Sequence, residues 1–134
     1  NVPNAVVIGS GDVVQDILDN FVSQLQLKPE ISIRLKNRFE QMAGITMDSL
    51  SGYQSAKAIQ IPVLVIHDTQ DGDVPVESSI HINQHLSNGS LIVTEGLGHR
   101  KILGDPLVIE KTVEFITHSQ HEKNHLDRDY SMLN

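Results

Sequence analysis

The sequence predicts an α/β protein in three layers, a parallel sheet with helices on both faces. Short apolar runs of strand length alternate with segments of helical periodicity. Those runs are continuous rather than alternating with polar residues, as in strands covered on both faces. Each is followed by a loop rich in Gly or polar residues, on the strand ends where such sheets bind ligands.

Ala5-Val6-Val7-Ile8 is the first such run, ended by Gly9-Ser10-Gly11, and Asp12 is suited to cap the helix that follows. From Val13 to Leu25 the apolar residues Val13, Val14, Ile17, Leu18, Phe21, Val22 and Leu25 recur at helical spacing. Pro29 opens a second helix with the face Ile31, Leu35, Phe39 and Met42, and Gly44 ends it. Core packing is the expected role of both faces, with the lining of an acyl pocket as the alternative. Residues 45–60 are weakly patterned and predict one short helix.

The second strand is Ile61-Pro62-Val63-Leu64-Val65-Ile66, with Pro at its start, where a lost N–H costs least. A polar loop from His67 to Pro75 leads to a helix over about Glu77 to Leu86 and the turn Asn88-Gly89. Leu91-Ile92-Val93-Thr94 is the third strand and Gly96-Leu97-Gly98-His99 its loop. Asp105-Pro106 starts the last helix, which runs out into a polar tail over 118–134. Residues 1–117 are thus expected to form one domain.

Composition narrows the function. Ten Lys and Arg against 17 Asp and Glu give a net charge of −7, with no basic cluster or stacking aromatics, so nucleic acid is a poor partner. There is no cysteine, which excludes disulfides, thiolate metal sites and a cysteine nucleophile. No apolar run reaches the roughly 20 residues of a membrane span, and a cytoplasmic location is expected. The chain opens with Asn1, which suggests that residues precede it in the gene product.

The chemistry gathers in two loops. His67, Asp71, Val74 and Pro75 follow the second strand in the pattern H-x-x-x-D-x-x-V-P, and Gly98-His99 follows the third. One helix and one strand separate Asp71 from His99, so both should emerge at the same edge of adjacent parallel strands. These strand-and-loop patterns closely resemble the last two catalytic loops of α/β-hydrolases, and the resemblance runs through most of the chain. It implies that the fold is part of an α/β-hydrolase, with the last three strands of the sheet, and that the helices within 13–60 are cap-like. It also implies that Asp71 is the acid and His99 the base of a catalytic triad. A serine hydroxyl is too weak an acid to attack unaided, so an imidazole takes its proton and a carboxylate fixes the imidazole's tautomer. Asp68 and Asp73 are read as turn or surface carboxylates, and His67 as a partly buried packing residue.

The family's nucleophile sits on a G-x-S-x-G elbow, and no such motif occurs here. Ser10 comes nearest, but Ile8 and Asp12 occupy the positions where the elbow needs small residues. Gly9 and Ser10 are therefore expected to line a substrate pocket, with the nucleophile supplied by a segment outside this sequence. The resemblance implies part of a serine hydrolase acting on small carboxylic esters, with no cofactor. The alternative is a non-catalytic α/β binding module or an inactive truncated hydrolase. The first strand, lacking a neighbour on one side, predicts a homodimer or other association through the sheet edge. His121-Glu122-Lys123-Asn124-His125 spells the H-E-x-x-H zinc motif, yet it lies in a charged stretch without an apolar face, so no catalytic metal is expected.

Overall fold

The computed structural model describes residues 2–130, with side chains through residue 118. Three parallel strands, β1 (Ala5–Ile8), β2 (Val63–Asp68) and β3 (Gly89–Thr94), form one sheet in the order β1-β2-β3. Ala5 pairs with Val63 and Val63 with Gly89, so the strand ends at Ile8, Asp68 and Thr94 converge on one edge. All three strands form near their expected positions, but β2 runs from Val63 to Asp68 rather than over 61–66, and β3 begins at Gly89, two residues before Leu91. All six residues of β2 are buried, since it is the central strand.

Alternate side chains divide the core as the pleat dictates. On one face Val63 and Val65 pack with Ala5, Val7 and Leu91 against Ala56 and Ile82. These two come from α3 (Gly52–Ala56) and α4 (Val76–His85). On the other face Leu64 and Ile66 pack with Val6, Ile8 and Ile92 against Ile102, Val108 and Phe115. That layer comprises the one-turn helix α5 (Gly98–Lys101), a following turn and α6 (Pro106–Tyr130). The three layers predicted from the sequence are all present.

The remaining helices depart from expectation. Helices α1 (Val14–Gln24) and α2 (Glu30–Ala43) pack on each other and on a short 3₁₀ turn over 47–50, and contribute only Val22 and Ser32 to the buried residues. Their apolar faces are not core: Ile17, Phe21, Leu35, Phe39 and Met42 are all exposed. Helical periodicity shows that a face is apolar but not what covers it, and here the sheet does not. Two short elements, the 3₁₀ turn and α3, replace the single helix expected in 45–60. Asp12 does not cap α1, whose cap residue is Val13 and has no side-chain cap hydrogen bond. The backbone stays helical to Tyr130, past the expected start of the tail. The side chains of the H-E-x-x-H stretch lie outside the described residues. Among the described residues no helix is long and apolar enough to cross a membrane.

Candidate active site

The loop after β2 is built around two carboxylates with different tasks. Asp71 sits in the polar loop, its side chain almost wholly buried. Its Oδ1 accepts the backbone N–H groups of Asp73 and Val74, at 2.9 and 2.8 Å, which closes the turn on its own side chain. Its Oδ2 is left for two imidazoles, 2.8 Å from His99 Nδ1 and 3.2 Å from His67 Nε2. Burial by itself raises the Asp71 pKa, but the Val74 N–H, the His99 side chain and the Asp73 N–H outweigh it, so the carboxyl titrates below the usual range.

His67 is fully buried rather than partly so. Its Nε2 lies 2.9 Å from the Val74 carbonyl, which can only accept, so the proton is on Nε2. The Nδ1 then accepts from the Ser79 hydroxyl at 2.6 Å. His67 thus ties the end of β2 to the loop backbone and to the first turns of α4, holding the segment that bears Asp71. All four residues of the H-x-x-x-D-x-x-V-P pattern act together, since Pro75 supplies the extended residue from which α4 begins.

Asp68 is not a surface carboxylate, because it ends β2 fully buried, although its side chain does close the turn that follows by accepting the Gln70 N–H. Its Oδ1 accepts from the N–H groups of Gln70 and Gly98, and its Oδ2 from the Thr94 hydroxyl and the Leu97 N–H, all at 2.8–3.0 Å. Burial raises its pKa, yet the Gly98, Thr94, Leu97 and Gln70 hydrogen bonds together hold the carboxyl far below the usual range. The continuous apolar run of β2 is the signal available for it, since a residue continuing a strand covered on both faces is itself covered. Asp73, by contrast, is exposed, as expected.

His99 lies in the first turn of α5 rather than in an open loop, and its ring is a third exposed. Gly98 adopts φ +64 and shares with Leu97 the N–H groups that Asp68 holds, so the backbone entering His99 is fixed. With Nδ1 donating to Asp71, the Nε2 lone pair is free to accept a proton.

Gly9 closes the site from β1. Its φ is +61, and a Cβ there would stand 3.3 Å from His99 Nδ1 and 3.6 Å from Asp71 Oδ2. The neighbouring Ser10 hydroxyl donates to the Gly11 carbonyl at 3.2 Å. Among the described residues, no hydroxyl hydrogen-bonds His99. A cleft of about 430 Å³ opens beside Asp71 and is lined by Gly11, Val13, Ile17, Asn20, Val74, Pro75 and Ser78 among others. A larger cleft of about 710 Å³ between α1 and α2 contains neither Asp71 nor His99, so it is no part of this site. Asp71, Asp73 and His99 offer three ligand atoms within 4.8 Å, but their arrangement is accounted for by the hydrogen bonds above.

The profile of a family described as TAP-like protein, a family of α/β-hydrolases, matches residues 43–127, which include Asp71 and His99. No curated protein sequence matches the chain. Among solved structures, Est1E from Butyrivibrio proteoclasticus shares the fold with a TM-score of 0.63 at 18% identity, over 89% of this chain and 52% of its own. Rv0554 from Mycobacterium tuberculosis does so with 0.57 at 15% identity, over 87% and 57%. An esterase, RhEst1 from Rhodococcus sp. ECU1013, does so with 0.50 at 18% identity, over 86% and 56%. The chain thus spans about half the length of the solved structures it matches.

Proposed function

The chain belongs to the α/β-hydrolases, and from that premise we propose that it supplies the acid and base of a serine hydrolase that cleaves small carboxylic esters. The observation that carries this reading is the 2.8 Å contact between Asp71 Oδ2 and His99 Nδ1 at the ends of adjacent strands. The ester class rests on the loop motifs and on the esterase among the proteins that share the fold.

In this reading the nucleophilic serine and the oxyanion hole come from a segment preceding Asn1. His99 Nε2 takes the serine proton as the oxygen attacks the ester carbonyl, and returns it to the departing alcohol, leaving an acyl-enzyme. Water, deprotonated by the same nitrogen, then releases the acid and restores the serine. Asp71 holds the Nδ1–H tautomer throughout and stabilises the imidazolium that forms at each transfer. Gly9 and Ser10 form the substrate side of the β1 loop, and the cleft between α1 and the Asp71 loop takes the acyl group. Helices α1 and α2 then belong to a cap over the site, within residues 13–60.

The gene product with its upstream segment tests this. It should hydrolyse activated esters and take up a fluorophosphonate probe on a serine outside residues 1–134, and His99→Ala should abolish both. Asp71→Asn should lower kcat by about 10⁴-fold, by favouring the wrong tautomer of His99. The 134-residue chain alone should do neither, since a base without an adjacent hydroxyl has nothing to activate. Labelling of this chain at Ser10, lost in Ser10→Ala, would overturn the placement of the nucleophile. Full activity in the His99→Ala protein would overturn the triad.

A further inference from the structure

We propose that His81 and His85 of α4, backed by Asp12, form a binding site for a divalent transition metal, separate from the Asp71–His99 pair. The two residues are one helical turn apart, so their side chains share a face of α4. Their rings lie edge to face, with centroids 4.5 Å apart and planes at 78°.

What distinguishes them from an ordinary surface pair is that each ring already has one nitrogen fixed. His85 Nδ1 lies 2.9 Å from the His81 carbonyl oxygen. A carbonyl only accepts, so Nδ1 carries the proton and the Nε2 lone pair is free. His81 Nδ1 is hydrogen-bonded to Asp12 Oδ2, which fixes the same tautomer and again frees Nε2. Imidazoles that bind metals are held in this way, by a carboxylate or a backbone carbonyl on the nitrogen away from the ion. Both kinds of support are present here on adjacent turns.

Asp12 is itself held. It is 3% exposed, its Oδ1 accepts the Tyr53 N–H at 2.6 Å and its carbonyl accepts the Gly52 N–H at 2.9 Å. The Tyr53 ring packs beside both imidazoles, with centroids 4.8 and 5.2 Å away. The His81 side chain nevertheless remains 41% exposed, so an ion can reach it. A pair of imidazole nitrogens suits Cu²⁺ or Ni²⁺, whose tetragonal geometries take nitrogen ligands, with water completing the coordination. Two neutral imidazoles rank Cu²⁺ first in affinity. A bound ion would clamp α4 to the loop after β1.

Calorimetric titration of the 134-residue chain with CuCl₂ and NiCl₂ tests this, with circular dichroism confirming that each variant is folded. One ion should bind per chain, more tightly for Cu²⁺, and His85→Gln or His81→Ala should weaken binding at least tenfold. Asp12→Asn should weaken it by roughly 10- to 100-fold, as loss of a group supporting a ligand does. His99→Ala and the double variant His121→Ala/His125→Ala should bind as the wild type does. Should a histidine variant fail to fold, substoichiometric Cu²⁺ added to the wild type should broaden the His81 and His85 imidazole resonances before that of His99. The proposal is overturned by any of three results: no binding, undiminished binding in folded His85→Gln, or binding lost in His99→Ala or the tail variant.

Discussion

Asp68, the last residue of β2, accepts a hydrogen bond at 2.9 Å from the backbone N–H of Gly98, the residue before His99. A buried carboxylate on the central strand thereby places the proposed base. Asp71 orients the imidazole from the side, whereas Asp68 fixes the backbone that carries it.

Asp68→Asn is therefore expected to be damaging. An amide keeps the size but turns one of two acceptors into a donor, which meets the Leu97 N–H or the Gly98 N–H head-on. Each buried group left unpaired costs about 1–3 kcal/mol. Urea denaturation should show a loss of that order, and Asp73→Asn, at an exposed position, should be close to neutral.

The same carboxylate shapes the acid limb of stability. Asp68 and Asp71 both titrate below the ordinary range in the folded chain. As pH falls through about 3.9 the unfolded chain takes up protons at these positions before the folded chain does. The stability they contribute is complete above that pH and is lost as pH falls toward their folded pKa values. Urea midpoints should fall steeply below about pH 4 in the wild type and less steeply in Asp68→Asn.

Gly9→Ala tests the closure of the site from β1. At φ +61 an L side chain costs about 1–2 kcal/mol, and the new methyl would press on the His99 ring, 3.3 Å from its Nδ1. The chain should lose stability by at least that amount. In the complete enzyme kcat should fall with it, and a variant of wild-type activity would show that Gly9 does not closely constrain the pair.

Ser79→Ala removes the hydroxyl that donates to the buried His67 Nδ1. The nitrogen is left without a partner in a fully buried position, at a cost of about 1–3 kcal/mol. Denaturation would measure this, and an unchanged midpoint would mean that water replaces the hydroxyl.

Among the described residues β1 pairs only with β2, which leaves its other edge unpaired. An unpaired parallel edge favours pairing with another chain. Light scattering of the 134-residue chain should show dimers or larger species, and a monomer at all concentrations would refute this.

The sequence by itself determined the sheet, since β-branched runs buried on both faces admit few other arrangements and their order in the chain fixes parallel crossovers. The loop pattern beginning at His67 and the Gly98-His99 step likewise marked out Asp71 and His99. The tertiary structure alone decided how three nearby carboxylates divide the work, because Asp68, Asp71 and Asp73 are chemically alike. Strand pairing, not composition, buries the first, points the second at an imidazole and leaves the third in water. It alone also showed that much of the apolar faces of α1 and α2 is exposed rather than covered by the sheet. Periodicity reports a helix's own asymmetry, while burial depends on which distant segment packs against it. For the same reason Asp12, suited by its position to cap α1, is held instead by Tyr53 and His81, partners 41 and 69 residues away that proximity in sequence could not reveal.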